Sequence, residues 1–282
     1  MAEEGSIEVA IEKAAGSVWS SQTDRVAIEE PLEIRLGYVV DGKRTARSIS
    51  ITMRTPGDDE NLAIGFLVSE GILRDPSDVQ QVRACGPAIG QLHLQNVVRV
   101  ELREGVAVEL NRLERHFYTT SSCGVCGKAS LDALAIGDIS PLAEQLPQIP
   151  AEAIHRLPQQ LRRAQAVFDR TGGLHASALF NATGELLALR EDVGRHNAVD
   201  KLIGTEFRAG RVPLADRGIL VSGRASFELL QKALLAGIPL LAAVGAPSSL
   251  AVELATKFKM TLIGFLRDDR FNVYSGQWRL RR

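Results

Sequence analysis

Two cysteines, Cys123 and Cys126, stand two residues apart in the run Ser121-Ser122-Cys123-Gly124-Val125-Cys126-Gly127, where only Val125 is an apolar neighbour. A cysteine that fills a core sits among aliphatics. Here glycines let the backbone bend and little bulk shields the sulfurs. Three chemistries use such a pair. A structural zinc site needs four ligands, and a catalytic one needs three plus water. Cys85 and one histidine could complete a set, but the chain has no second C-x-x-C and no closely spaced histidine pair. A thioredoxin-like redox pair sits at the start of a helix in a βαβ context, whereas the upstream His116-Phe117-Tyr118-Thr119-Thr120 is at most a short strand. A persulfide carrier needs one accessible thiolate that attacks a donor persulfide and gives up the sulfur at a second site. Gly124 and Gly127 permit that mobility, and a second cysteine can help discharge the sulfur. These residues alone leave the three readings open beside an incidental pair. Cys85, in Ala84-Cys85-Gly86-Pro87, reads as a small buried or turn residue.

A second constellation follows two expected strands. Val221-Ser222-Gly223-Arg224-Ala225-Ser226 and Val244-Gly245-Ala246-Pro247-Ser248-Ser249 each end a strand and open a helix. Free N–H groups and hydroxyls at helix N-termini attract anions, and the carboxyl ends of parallel strands form the usual crevice of an α/β sheet. Arg224 adds a fork for a phosphate. Taken singly, Ser226, Ser248 and Ser249 also read as plain helix caps. Neither loop carries a P-loop or dinucleotide fingerprint, so the inference stops at a phosphate-bearing ligand. Thr171-Gly172-Gly173-Leu174-His175-Ala176 allows close backbone approach beside His175. Glu191-Asp192-Val193-Gly194-Arg195-His196-Asn197 crowds polar groups at a strand-to-helix junction, either as a surface cap or as a pocket wall. The apolar strand before it favours the wall. Phe265-Leu266-Arg267-Asp268-Asp269-Arg270 reads as a loop before a final strand.

The elements that must position these groups fall into two stretches. From Val26 the pattern is β: Leu32 to Leu36 and Ser48 to Met53 alternate about Asp41-Gly42, a hairpin signal. Asp58-Asp59-Glu60 starts a helix that runs to about Glu70, with Gly71 as its stop. Leu92 to Leu102 and Val106 to Leu110 alternate again, so 20–115 is expected to form an α+β unit with an antiparallel sheet. Residues 1–25 read as loosely ordered. Residues 116–150 read as a mobile Cys-x-x-Cys loop and connector. Ala151 to Phe168 reads as one helix that Pro158 kinks or splits. Ser177 to Phe180 and Leu186 to Leu189 pair as strands, and Ala198 to Ile203 is helical with Gly204 as its end. The strands Gly218 to Val221, Pro239 to Val244 and Thr261 to Phe265 then alternate with the helices Phe227 to Ala236 and Leu250 to Phe258. That order predicts an α/β domain over 151–282 with a mostly parallel sheet covered on both faces.

Composition excludes several classes. The 282 residues are 45% apolar and 24% charged, with a formal net charge of −1. That balance gives no basic face for nucleic acid, and the basic ending Arg279-Leu280-Arg281-Arg282 reads as a solvated tail. The acidic N-terminus lacks signal-peptide character. No apolar run reaches the ~18–20 residues of a membrane span. Three cysteines make no disulfide framework. The expectation is a cytoplasmic protein with reduced thiols.

Taken together and in order, Ser122 to Gly127, Thr171 to Ala176, Glu191 to Lys201, Ser222-Gly223-Arg224 and Phe271-Asn272-Val273-Tyr274 resemble the formate dehydrogenase accessory sulfurtransferase family (FdhD/NarQ). The first ~20 residues lie outside the resemblance. It implies a cytidine deaminase-like α/β/α sandwich. It also implies transfer of persulfide sulfur from a cysteine desulfurase to the molybdenum cofactor, bis(molybdopterin guanine dinucleotide), for the formate dehydrogenase apoprotein. The cofactor is then a bound substrate and the protein holds no metal of its own. The resemblance makes Cys123 the persulfide cysteine, with Cys126 beside it. It puts cofactor contacts on Phe265, Leu266, Arg267, Asp268, Asp269 and Arg270, and the crevice reading adds Ser222, Gly223, Arg224, His175, Arg195 and His196. Family members are expected to be homodimers. Deamination is not expected, because Ala176-Ser177 follows His175 where deaminases carry a glutamate. A metal-binding or cofactor-binding chaperone without sulfur transfer is the rival reading.

Overall fold

Ile7, Val9 and Ile11 recur at every second residue and are half-buried, between exposed Glu8, Ala10 and Glu12. This period of two forms a strand, in a stretch that composition alone marks as loose. The protein's structure, a computed structural model, describes residues 5–90, 92–108, 141–144 and 146–281. In it β1 (Ser6–Ala15) and β2 (Val18–Ala27) pair antiparallel over their whole length. The expectation of loose order is therefore corrected for residues 6–25. The tip of this hairpin is exposed, Trp19 included.

A four-stranded sheet follows, ordered β4-β3-β6-β5, from β3 (Glu30–Val40), β4 (Lys43–Arg54), β5 (Val79–Ile89) and β6 (Leu94–Leu102). Asp41 and Gly42 turn the first hairpin with φ of 50° and 72°, the conformation a tight two-residue turn requires. The sheet is mixed rather than antiparallel, because β3 pairs parallel with β6. The crossover that this demands carries α1 (Asp59–Ser69). β5 escapes the sequence pattern: its face is largely exposed and its register shifts between Cys85 and Ala88, around Gly86-Pro87. Val106 to Val108 lies outside any strand, and residues 109–110 of that run lie outside the described residues.

The second stretch opens with β7 (Ile149–Pro150), α2 (Ala151–Ala164) and α3 (Ala166–Thr171). The helix breaks at Gln165 rather than at Pro158, since buried Ile154, Leu157 and Leu161 continue one apolar face past the proline. A six-stranded sheet is built from β8 (His175–Phe180), β9 (Leu186–Asp192), β10 (Gly218–Val221), β11 (Leu240–Ala243), β12 (Thr261–Gly264) and β13 (Asn272–Ser275), in the order β13-β12-β11-β10-β8-β9. Only β10, β11 and β12 are mutually parallel. The β8–β9, β8–β10 and β12–β13 pairs are antiparallel, so the sheet is not mostly parallel. Strand alternation splits the side chains between two cores. Leu179, Ile219, Val221 and Leu241 join α4 (Arg195–Arg208), α5 (Phe227–Leu235) and α6 (Ser249–Lys257) on one face. Ala178, Phe180, Leu220 and Leu240 meet α2 on the other. The first of these cores also takes in Leu32, Ile34 and Leu36 of the four-stranded sheet.

Two glycines hold α1 against α4. A Cβ on Gly65 would overlap the Asp200 carbonyl, and one on Gly204 would overlap the Asn61 carbonyl. Gly204 thus permits close backbone approach in mid-helix and does not end α4. At the C-terminus, Arg279 is buried and corrects the reading of a solvated tail. It donates to Leu146 O at 2.9 Å, Lys259 O at 2.7 Å, Thr261 Oγ1 at 3.2 Å and Ala143 O at 2.5 Å. It ties Ala143 and Leu146 to the second stretch, where β14 (Leu280–Arg281) pairs parallel with β7.

Candidate functional site

Sheet direction gathers the candidate residues at one end. β8 runs antiparallel to β10, with Ser177 opposite Val221, so the start of β8 lies beside the end of β10. His175, at that start, stands opposite Asp192, the last residue of β9. The loops after β10, β11 and β12 leave from the same end, because those strands are parallel. His175, Arg195, His196, Ser222, Gly223, Arg224 and residues 265–270 therefore rim one sheet end. Cys123 and Cys126 lie outside the described residues.

The loops are laced by backbone hydrogen bonds. Ser222 N donates to Ala176 O at 2.9 Å, and Ser222 Oγ accepts from Ala176 N at 2.9 Å. Gly245 N donates to Gly223 O at 2.9 Å, Ala225 N to Ala246 O at 3.1 Å, and Phe265 N to Gly245 O at 3.1 Å. Rigid loops leave few free polar atoms, and those few are informative. Ser248 Oγ caps α6 by accepting from Ala251 N at 3.2 Å. Ser226 occupies the equivalent place on α5 without capping it, and its Oγ is buried without a partner among the described residues. Arg195 Nε is likewise buried and unpartnered there. A buried donor left unsatisfied is costly, and these two atoms share that state with His196 Nε2 at the same sheet end. Arg224 is exposed and forms no ion pair with a described residue.

Gly223 keeps the floor open: a Cβ there would come within 3.4 Å of His175 Nδ1 and 3.9 Å of the Arg195 side chain. Burial, then the charges of Arg195 and His196, hold His175 below the usual histidine range, so it is a neutral hydrogen-bonding group at pH 7. His196 Nε2 lies 2.7 Å from Glu228 Oε2 on α5. Glu228 is the site residue that sequence reasoning misses. A first-turn glutamate complements any helix dipole, and only the packing of α4 beside α5 gives it a second partner.

The polar junction 191–197 divides its work. Glu191 accepts from Val167 N at 3.1 Å and Phe168 N at 2.8 Å, capping α3. Buried Asp192 pairs with Lys201 Nζ at 2.7 Å and accepts from Thr55 N at 3.2 Å, Gly194 N at 2.8 Å and Asn197 Nδ2 at 3.0 Å. Asn197 Nδ2 also donates to Met53 O at 2.7 Å. These groups lock β9 and α4 to the end of β4 and leave Arg195 and His196 to rim the crevice.

The loop 265–270 is likewise part anchor and part rim. Leu266 is fully buried, and Arg267 curls back onto Val244 O at 2.7 Å and Leu266 O at 2.8 Å. Asp268 accepts from Gln159 Nε2 at 3.4 Å, while Asp269 and Arg270 are exposed and 3.9 Å apart. Phe265 holds φ of 53° with its side chain 44% exposed. A bulky residue in the left-handed region is a strained outlier of the kind that gathers at functional sites. Arg195, Arg224 and the α5 N-terminus put positive groups at this sheet end, where an anion is favoured. No group of three metal-ligating side chains converges among the described residues.

Known proteins are similar to this chain in sequence and fold. A model of the FdhD/NarQ family matches residues 27–281. The chain is 52% identical over 268 residues to the sulfur carrier protein FdhD of Streptomyces avermitilis, covering 93% of this chain and 90% of that one. It is 50% identical over 260 residues to the protein of that name from Mycobacterium tuberculosis, covering 90% and 91%. A crystal structure of a candidate formate dehydrogenase accessory protein from Desulfotalea psychrophila superposes with a TM-score of 0.75 at 25% identity, covering 98% of this chain and all of that one.

Proposed function

This chain belongs to the FdhD/NarQ family, and on that premise we propose that it is a sulfur carrier serving formate dehydrogenase. Cys123 thiolate attacks the terminal sulfur of a persulfide on a cysteine desulfurase. One S–S bond forms as another breaks, the donor cysteine leaves as a thiolate, and no net oxidation occurs. Cys123 then carries the sulfur to the molybdenum cofactor, whose nucleotide arms bear the pyrophosphates that the sheet-end crevice is built to hold. The cofactor is substrate here, and it supplies the sulfur-accepting centre. The protein's residues bind and orient: Arg195, Arg224 and Ser226 offer donors to phosphate, Phe265 offers a face to a base, and neutral His175 offers a ring nitrogen. Cys126 either attacks the inner sulfur of the Cys123 persulfide, expelling hydrosulfide and leaving a Cys123–Cys126 disulfide that a cellular dithiol reductant reopens, or tunes the Cys123 thiol.

The observation that carries this reading is the pair of buried, unpartnered atoms, Arg195 Nε and Ser226 Oγ, at the sheet end where all the rim segments meet. Calorimetry with guanosine diphosphate tests it. Wild type binds, and Arg195→Ala together with Ser226→Ala abolishes binding. Equal binding by the double variant contradicts the site. Stoichiometric zinc that is lost on mutating either loop cysteine would instead favour a metal-binding chaperone.

A further inference from the structure

Glu228 stands in the first turn of α5, with its Oε2 2.7 Å from His196 Nε2. Hydrogen bonding to His196 holds its carboxyl below the usual carboxylate range against the effect of burial, and the charges of His196, Lys232 and Arg195 add to this. Behind it Lys232, itself buried, donates to Asp200 Oδ1 at 2.9 Å and Oδ2 at 2.8 Å. Ser69 Oγ donates to Asp200 Oδ1 at 2.8 Å. The Lys232–Asp200–Ser69 cluster thus reaches the crossing of α1 and α4, and the Lys232 ammonium acts on Glu228 through its charge. The 2.7 Å approach is not aligned as a full hydrogen bond, but an ionised carboxylate only accepts, so Glu228 favours a proton on the nearby Nε2 and leaves Nδ1 as the nitrogen free for a ligand.

We propose that Glu228 is a positioning residue: it fixes the protonation form and ring orientation of His196, so that Nδ1 meets the anionic part of the nucleotide. When a phosphate oxygen meets Nδ1, the ring takes up a second proton from solvent, donates from both nitrogens and bridges carboxylate to phosphate. His175 on β8 and Arg195 on α4 flank this ring, and Arg195 shares the anion. The inference rests on the nucleotide-crevice reading above.

Two measurements separate it from that reading. In ¹⁵N spectra of the imidazoles at alkaline pH without ligand, wild-type His196 is expected in the Nε2–H form. Glu228→Ala should mix the two tautomers, while Glu228→Gln, which keeps an acceptor oxygen, should retain the Nε2–H form. Calorimetry with guanosine diphosphate then closes a double-mutant cycle. Glu228→Ala should weaken binding about tenfold in wild type and less than about twofold in the His196→Ala background. An unchanged Nε2–H signature in Glu228→Ala, or the same loss in both backgrounds, overturns the positioning role. If wild type fails to bind the nucleotide, the crevice reading fails, and the tautomer signature alone decides the role of Glu228.

Discussion

Glu70 ends α1 close to Asp200, Glu228 and Lys232, and burial pushes its carboxyl from 4.5 up to about 7. Lys232 pulls in the other direction, and the two acids add to the rise. In the unfolded chain this group ionises near its ordinary value. Between the two values the folded state therefore holds a proton that the unfolded state has released. Stability must fall as pH rises through that window, since it falls wherever the folded state binds more protons. Replacement by glutamine keeps the shape and removes the charge. Glu70→Gln should thus gain on wild type as pH increases. The displacement from 4.5 to about 7 sets a ceiling of about 3 kcal/mol on the full effect, of which about 2 kcal/mol develops between about pH 5.5 and 8. Urea unfolding of both proteins across that range measures it, because groups remote from Glu70 are common to both and cancel in the difference. The reasoning is refuted if the difference between the two proteins is flat with pH, or if it shrinks as pH rises.

Two further outcomes follow from other buried or strained groups. Arg279→Met should cost about 3 kcal/mol or more in urea unfolding, since four acceptors lose a fully buried donor; Arg279→Lys should rescue little, because an ammonium lacks the planar fork. Phe265→Gly should raise stability by about 1 kcal/mol through relief of the left-handed backbone while weakening guanosine diphosphate binding; unfolding and calorimetry read the two effects, and loss of both stability and binding would remove the functional reading of the strain.

Much of the scaffold is legible from local signals. The Asp41-Gly42 turn, the helix from Asp59, and the alternation of β10, α5, β11, α6 and β12 each follow from periodicity and turn chemistry within a few residues. What escapes depends on partners distant in sequence. Gly204 looks like a helix stop until α1 is seen lying against it. Arg279 looks like a tail residue until the carbonyls of residues 143, 146 and 259 are seen around it. The β8–β9 hairpin is legible from its turn, but strand direction within a sheet has no local signal, so the α/β rhythm over 218–264 wrongly suggests a mostly parallel sheet for the whole stretch. The N-terminal hairpin is a different miss, since the alternation of Ile7, Val9 and Ile11 is present in the sequence and is diluted by polar neighbours. In the candidate site, the place of the loops at strand ends is legible because glycine and serine there act locally. The division of residues 265–270 into anchor and rim, and the pairing of Glu228 with His196, depend on packing.

Sulfur on Cys123 is the most direct measure of the account. After incubation with a cysteine desulfurase and cysteine, mass spectrometry of the intact loop peptide should show the mass of one added sulfur atom on Cys123, removed by reductant. Cys123→Ala should carry none and should fail to activate formate dehydrogenase. Labelled sulfur that still reaches the cofactor through Cys123→Ala contradicts the carrier assignment.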